Sequence, residues 1–308
     1  MLGLVLRGIS RSERVRGLII AAPVTRRVVD RFVAGEQLPA AMAAIAPLVA
    51  RGLTVTMDHL GEDVTTAAEA RASRDAYLRA IDAINAAALG QSVEVSVKLS
   101  AFGQALPGGH DIALANVEAV AAAATDAGTM VTLDMESSGT VDSTLAVLRS
   151  LRTRYPGTGA VLQSCLLRTP DDARSLATKG SRVRLVKGAY REPPQVAHQG
   201  KRAVGAAYRQ CLGILMSGPG YPMVGSHDPQ MIECARQLAR EHGRSPDSFE
   251  FQMLYGMRPR EQQRLAGAGF RMRTYLPYGT DWYGYFVRRL AERPANLLFF
   301  ARALTTRD

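Results

Sequence analysis

The sequence predicts an α/β protein folded as a (βα)8 TIM-type barrel. Eight short runs rich in β-branched residues recur along the chain, each followed by a longer stretch with helical spacing. This alternation implies parallel strand pairing. The 308 residues accommodate a barrel of about 250 residues and an added N-terminal segment. An open doubly wound sheet, the alternative, would place a GxGxxG turn after an early strand. The sequence contains no such turn, so the barrel is favoured.

Residues 1–50 are predicted to form a helical segment ahead of the barrel, within a single domain spanning 1–308. The stretches SERVRGLIIAA and TRRVVDRFVAGE carry apolar residues at helical spacing, and Gly35 is placed to end the second. The alanine-rich QLPAAMAAIAPLVARG predicts a further helix that ends near Gly52.

The eight predicted strands lie at 53–61, 93–100, 130–137, 160–165, 183–190, 221–228, 249–254 and 270–279. The helical stretches after the first seven are 66–88, 111–127, 141–154, 170–179, 195–217, 228–242 and 259–268. A last helical stretch, YFVRRLAERPANLLFF at 285–300, follows the eighth strand. It places Arg288 and Arg289 side by side in an apolar run, which requires an anionic partner because a guanidinium keeps its charge when buried.

Composition indicates a folded globular protein without a membrane span. Hydrophobic residues make up 47% of the chain and charged residues 21%, and no apolar window is long enough to cross a bilayer. The net charge of +10 comes mostly from arginines scattered along helical stretches, which is typical of a solvated surface and compatible with an anion site in a cleft. Three cysteines without a CxxC pair favour a reducing, cytoplasmic compartment.

Polar side chains stand at the ends of nearly all the predicted strands, where a barrel enzyme builds its active site. The group comprises Asp58, Glu62, Lys98, Asp134, Glu136, Gln163, Arg184, Lys187, Ser226, His227, Asp228, Gln252, Tyr275 and Tyr278. One such pair, for example Lys98 with Asp134, could be purely structural. Polar residues at so many strand ends favour a shared ligand site instead. Cations outnumber anions there, which suits a ligand carrying phosphate or carboxylate groups.

The sequence lacks the motifs that are typical of several other kinds of functional site. The five histidines show no HxH or HExxH spacing, so no metal site is predicted, and no GxSxG motif is present. A Schiff-base aldolase with Lys98 or Lys187 as the nucleophile remains an alternative enzyme. A basic barrel that binds nucleic acid is the non-enzymatic alternative, but no basic block is interleaved with aromatic residues.

The chain resembles the proline dehydrogenases, flavin-dependent enzymes that oxidise L-proline. The resemblance runs in order through RFVAGE, VSVKLSAFG, TLDMES, VLQSCLLRT, RLVKGAY, GSHD, FEFQMLYGM and YLPYGTDWYGYFVRRLAE. RLVKGAY and YFVRRLAE are its most specific stretches. The resemblance implies a (βα)8 barrel whose last helix lies over the barrel mouth, and it is closest to the monofunctional form, since 308 residues leave no room for a second catalytic domain.

The resemblance also implies roles for individual residues. Asp134 and Arg184 would be catalytic, with Asp134 pairing with Lys98 beside the flavin and Arg184 near flavin N5. Arg288 and Arg289 would clamp the carboxylate of the substrate, and Glu62 would pair with Arg288 as a gate when substrate is absent. The substrate-binding residues would be Lys98, Leu254, Tyr275, Tyr285, Arg288 and Arg289. The FAD-binding residues would be Met135, Gln163, Lys187, Gly188, Ala189, Ser226 and His227.

The implied reaction is the FAD-dependent oxidation of L-proline to Δ1-pyrroline-5-carboxylate, the first step of proline catabolism to glutamate. A quinone would accept the electrons, with peripheral contact at the inner face of the membrane, where the basic charge would help. Neither a metal nor a nucleic acid is expected to take part.

Overall fold

A closed barrel of eight parallel strands forms the centre of the computed structural model, which describes residues 29–291, with side chains through Phe286. The strands are β1 Thr54–His59, β2 Val93–Val97, β3 Val131–Leu133, β4 Gly159–Gln163, β5 Arg182–Val186, β6 Tyr221–Gly225, β7 Glu250–Leu254 and β8 Arg271–Tyr278. They are hydrogen-bonded in sequence order, and β8 closes on β1 with Thr54 opposite Arg273. The predicted (βα)8 barrel is confirmed.

Nine α-helices surround this barrel within the described part of the chain. They are α1 Leu38–Val49, α2 Ala67–Ala86, α3 Gly109–Asp126, α4 Val141–Arg152, α5 Thr169–Leu176, α6 Lys201–Ser217, α7 Pro229–Glu241, α8 Pro259–Gly267 and α9 Trp282–Ala291. The helix predicted over QLPAAMAAIAPLVARG is α1, which ends at Val49. Of the helix predicted over TRRVVDRFVAGE, residues 29–30 are helical, but residues 31–36 form a turn and irregular backbone, so the prediction that it continues to Gly35 was wrong. Residues 1–28 lie outside the described residues. The assignment of residues 1–308 to one domain stays a prediction.

The predicted helix at 195–217 is shorter in the structure, where α6 begins at Lys201. The stretch becomes helical only there, directly after Gly200, whose φ of +80° lies outside the right-handed helical region. The preceding residues form a loop instead, and Ala197 pairs as an isolated bridge with Leu166. This loop, between β5 and α6, follows the RLVKGAY stretch and borders the barrel mouth.

The two faces of strand β2 differ in polarity. On β2, Val93, Val95 and Val97 pack in the main apolar cluster with residues of the surrounding helices. The alternate residues Glu94 and Ser96 contact charged side chains of other strands, so they face the barrel interior. The apolar core therefore lies between strands and helices, and much of the barrel interior is polar.

The final helix packs at the mouth of the barrel, as the resemblance implied. Trp282, Tyr285 and Phe286 of α9 belong to an apolar cluster with Leu60, which follows β1, and Met257, which follows β7. Both loops leave the carboxyl ends of their strands. The helix thus covers the end of the barrel at which such enzymes build their sites.

Candidate active site

Asp134 is the centre of a hydrogen-bonded cluster at the barrel mouth. Its Oδ1 accepts hydrogen bonds from Arg184 Nη1 at 2.7 Å and from Ser96 Oγ at 2.8 Å. Its Oδ2 accepts one from the Tyr275 hydroxyl at 2.7 Å. The guanidinium of Arg184 also lies over the Tyr275 ring, 5.2 Å from its centroid. Strands β2, β5 and β8 and the residue after β3 thus supply one cluster from distant parts of the sequence.

Protonation in this cluster follows from its burial. Burial raises the pKa of Tyr275 well above its usual value, and the charges of Asp134 and Asp58 add to that effect. The phenol therefore remains protonated and donates to the carboxylate. The outcome is an anion held by a cation and two hydroxyl donors, with 14% of the Asp134 side chain exposed toward the mouth.

Lys98 is held mainly by Asp58. Its Nζ donates to both carboxylate oxygens of Asp58, at 2.8 and 2.9 Å. The predicted pairing of Lys98 with Asp134 is present as an ion pair, with 3.8 Å between Nζ and Oδ2 and no hydrogen bond. The nearer and more buried Asp58 accepts the hydrogen bonds of the ammonium, and this second partner was not predicted. Asp58 stood among the polar strand ends in the sequence, but no role had been predicted for it.

The electrostatics of Lys98 bear on the Schiff-base alternative. Burial lowers the pKa of its ammonium, but Asp58 and Asp134 outweigh burial and raise the pKa above its ordinary value. A Schiff-base lysine needs a depressed pKa to be a neutral nucleophile. Lys98 is instead a permanent cation, suited to attracting a carboxylate.

A second set of charged residues lies deeper in the barrel and was not predicted. This lower layer consists of Glu94, Arg182, Glu250 and Arg273. Arg182 Nη2 donates to Glu94 at 2.6 Å, and Arg273 Nε donates to Glu250 at 2.8 Å. Burial opposes the charge on Glu94, but Arg182, Arg273 and Arg184 outweigh it and lower its pKa to about 2. The signal was available in VEVSV and FEFQ, where a glutamate interrupts an apolar strand.

The turn after β5 has the geometry of an anion-binding loop. Gly188 adopts a φ of +100°, and a Cβ at this position would collide with the Cys165 Sγ, so only glycine fits. Within the described part of the chain, the backbone N–H groups of Gly188 and Ala189 donate to no other residue. The ammonium of Lys187 stands beside them with 38% of its side chain exposed. Free N–H groups and a cation in one turn can bind phosphate.

Gln163 lies beside this turn, and Met135 is next to Asp134 in sequence. Gln163 ends β4, and its Nε2 donates to the backbone oxygen of Glu136 at 2.6 Å. Its Oε1 faces Gly188, where it would lie 3.2 Å from an added Cβ. Met135 is buried and directly follows Asp134. The structure brings these predicted cofactor-binding residues to one side of the mouth.

The residues after β6 are strongly tied to their neighbours. Asp228 accepts from Lys187 Nζ at 2.6 Å and caps α7 through the Gln230 N–H at 3.0 Å. Partial burial opposes its charge, but these hydrogen bonds lower its pKa. The backbone N–H of Asp228 donates to Ser226 Oγ at 3.2 Å. His227 Nε2 accepts from the backbone N–H of Leu254 at 2.9 Å, so this ring joins the β6 and β7 loops.

The predicted substrate-binding residues are only partly described. Tyr285 is buried in the apolar cluster of α9, and Leu254 packs against the same cluster, so these two lie together under the final helix. Arg288 and Arg289 belong to α9 by backbone, but their side chains lie outside the described residues. The predicted pairing of Glu62 with Arg288 lies outside them for the same reason.

Residues 29–291 contain no group of three or more His, Cys, Asp or Glu side chains placed to hold a metal ion. Within the same range, no helix is long and apolar enough to cross a membrane.

Comparison with known sequences associates this site with one family. The family model described as proline dehydrogenase matches residues 41–302. Proline dehydrogenase 1 of Bacillus subtilis (strain 168) is 37% identical over 280 residues, which cover 91% of each chain. The proline dehydrogenase of Deinococcus radiodurans is 39% identical over 278 residues, 89% of each chain.

Solved structures give the same association. The proline utilization A (PutA) protein of Bdellovibrio bacteriovorus, inactivated by N-propargylglycine, matches 87% of this chain with a TM-score of 0.80 and 26% identity. PutA of Bradyrhizobium japonicum matches 91% of the chain with a TM-score of 0.73 and 27% identity. The chain spans about a third of those two longer chains, 33% and 32% respectively.

Proposed function

The chain belongs to the proline dehydrogenase family, and from this premise we propose that it uses FAD to oxidise L-proline to Δ1-pyrroline-5-carboxylate. Membership of the family makes it an oxidoreductase of proline catabolism. The FAD, the product, the electron acceptor and the roles of individual residues are the parts that we propose. The observation that carries the proposal is the partly buried Asp134–Arg184–Tyr275 cluster, which lies beside the cationic Lys98 at the mouth of the barrel.

FAD fits the cationic turn after β5. The N–H groups of Gly188 and Ala189 and the ammonium of Lys187 would bind its phosphates, and Ser226 and His227 would border the ribityl and adenosine parts. Gln163 and Met135 would contact the ring system on the side nearest Asp134. Gly188 supports this assignment, because its conformation and its closeness to Cys165 exclude a side chain where the backbone must approach a ligand.

L-proline would bind under α9 as a carboxylate held by cations. Arg288 and Arg289 would clamp the carboxylate, and Lys98 would add a third positive charge. Two guanidiniums can bind a carboxylate in a defined orientation, and orientation supplies a large share of catalysis. Tyr275, Tyr285 and Leu254 would form the walls around the pyrrolidine ring.

The protein groups would also favour the chemical step. Oxidation removes a hydride from the ring carbon next to nitrogen and a proton from the nitrogen, which leaves a C=N bond. FAD, when bound, would accept the hydride. A cation-rich pocket favours the neutral amine that this step requires. Arg184, held by Asp134, would stabilise the negative charge that develops on the reduced cofactor.

The electron acceptor we propose is a quinone, reached by peripheral contact with the inner face of the membrane. The net charge of +10 would favour an anionic lipid surface. Incubating the reduced enzyme with a soluble quinone under anaerobic conditions tests this part, since reoxidation is expected and its absence would contradict the proposal.

The test of the whole proposal is a visible spectrum of the purified protein, followed by anaerobic titration with L-proline. Flavin absorbance that L-proline bleaches is expected. A protein that carries no flavin after reconstitution with FAD, or a flavin that proline does not reduce, would contradict the proposal. Arg289→Met should raise KM for proline strongly while FAD remains bound, and unchanged proline kinetics would remove this residue from the clamp.

A further inference from the structure

Arg184 is held at two edges of its guanidinium by different parts of the barrel. Nη1 donates to Asp134 at 2.7 Å and to Ser96 at 3.1 Å. Nε donates to Gln252 Oε1 on β7. The remaining nitrogen, Nη2, makes no hydrogen bond with the described residues, although it is buried and 3.7 Å from Glu94. A planar fork needs two fixed points to set its rotation, and Gln252 provides the second point.

Gln252 is itself oriented from below. Its Nε2 donates to Glu250 Oε1, which also accepts from Arg273 Nε at 2.8 Å. Arg273 Nη1 in turn donates to the backbone oxygen of Val55 at 3.0 Å. A side-chain amide can accept from Arg184 through its oxygen and donate to Glu250 through its nitrogen at the same time. The hydrogen bonds therefore fix which end of the Gln252 amide faces Arg184.

The geometry points to Gln252 as a positioning residue for Arg184, through which the lower charged layer sets the orientation of that guanidinium. This inference rests on the proposed function, in which Arg184 stabilises the reduced cofactor. A misoriented guanidinium would stabilise that negative charge less. Gln252 would then affect the reduction potential of the flavin and kcat, and leave the affinity for proline nearly unchanged.

The first experiment compares Gln252→Met with the wild-type holoenzyme. We expect kcat to fall about tenfold to hundredfold, KM for proline to stay within about threefold, and the flavin potential to become more negative. In an Arg184→Lys background, the same change should cost less than about threefold further, because its target is already gone. Wild-type kcat and potential in Gln252→Met, or equal losses in both backgrounds, would overturn the inference.

If Gln252→Met does not fold, a double variant that exchanges the residues at positions 250 and 252 provides a second test. Glu250→Gln combined with Gln252→Glu keeps the net charge and preserves an acceptor for Arg273, a donor between the two positions and an acceptor for Arg184. We expect this double variant to retain kcat within about threefold, because Arg184 keeps an acceptor at position 252. A kcat as low as that of an Arg184→Lys variant would overturn the inference.

Failure of the inference and failure of the proposed function give different results. If L-proline does not reduce the flavin of the wild-type protein, the proposed function fails before any variant is considered. If the wild-type flavin is reduced and the variants behave additively, only the role of Gln252 is overturned.

Discussion

The barrel interior contains two charged regions that use the same residue types for different ends. In the lower layer, the side chains of Glu94 and Glu250 are 2% and 1% exposed, and each is paired with an arginine. At the mouth, Lys98 and Asp134 are 15% and 14% exposed, and they are not hydrogen-bonded to each other. The mouth therefore keeps its charges within reach of a ligand, whereas the lower layer is closed to ligands.

The difference shows that charged side chains of the same barrel can stabilise the fold in one region and take part in chemistry in the other. Buried charges are costly unless geometry and hydrogen bonds compensate, and two carboxylates with two guanidiniums make the lower layer neutral. Arg184 joins the regions, since it bonds to Asp134 above and, through Gln252, to Glu250 below. The amino-terminal end of a barrel usually supports stability and the carboxyl end catalysis, and this interior follows that division.

Removing a charge from the lower layer is the strongest test of the difference between the two regions. Glu94→Gln leaves Arg182 without its carboxylate, and we expect it to reduce the free energy of unfolding by about 3–5 kcal/mol. Denaturant unfolding at neutral pH measures the change. Asp142→Asn is the control, because its ion pair with Arg168 has a similar length of 2.7 Å but an 86% exposed carboxylate, and it should cost under about 1 kcal/mol. Equal costs would contradict the distinction.

Removing a charge from the mouth should affect the rate of flavin reduction more than the free energy of unfolding. Asp134→Asn releases Arg184 and keeps the size of the side chain, so flavin reduction by proline should slow roughly 100-fold. Stability should fall less than in Glu94→Gln, because Asp134 is partly exposed. Stopped-flow reduction and denaturant unfolding measure the two effects. A wild-type reduction rate would refute the catalytic role.

Acid should weaken the lower layer selectively. The pKa of Glu94 is about 2 in the folded protein and 4.5 ordinarily, so its stabilisation is complete above pH 4.5 and is lost as pH falls toward 2. Between pH 6 and pH 3, the wild type should lose about 2 kcal/mol that Glu94→Gln does not lose. Unfolding curves of both proteins at each pH measure this, and parallel losses would contradict the predicted linkage.

The last prediction concerns Gly188 in the cofactor turn at the mouth. Gly188→Ala adds a Cβ against Cys165 at a positive φ, and we expect about 1–3 kcal/mol of destabilisation together with weaker FAD binding. Cys165→Ala in the same chain should restore part of the loss by making room. Gly213→Ala in α6 is the control, because nothing lies within 4 Å of its added Cβ. Melting temperature and flavin content measure the outcome, and equal effects at both glycines would contradict the assignment.

The functional residues at the mouth of the barrel could be predicted from the sequence better than the charged residues of its interior. Asp134, Arg184 and Tyr275 were predicted from strand ends and from family resemblance, and the structure brings them into one cluster. Asp58 was noticed without a role, and Glu94 was missed. The reason is that a strand end is visible in local sequence, whereas the partner of a buried charge lies on another strand. Arg182 is 88 residues from Glu94, and no local pattern connects them.

The barrel follows from the sequence alone, since the spacing of β-branched runs and helical stretches leaves few ways to bury both. The sequence also determines the glycine of the RLVKGAY turn, because the turn requires a positive φ. Which charges pair with each other depends on the three-dimensional arrangement of the strands. Strand register and barrel closure set the distances between side chains, and the energy of an ion pair depends on distance and burial. For that reason Lys98 pairs with Asp58, and Arg184 bonds to Asp134 and Gln252.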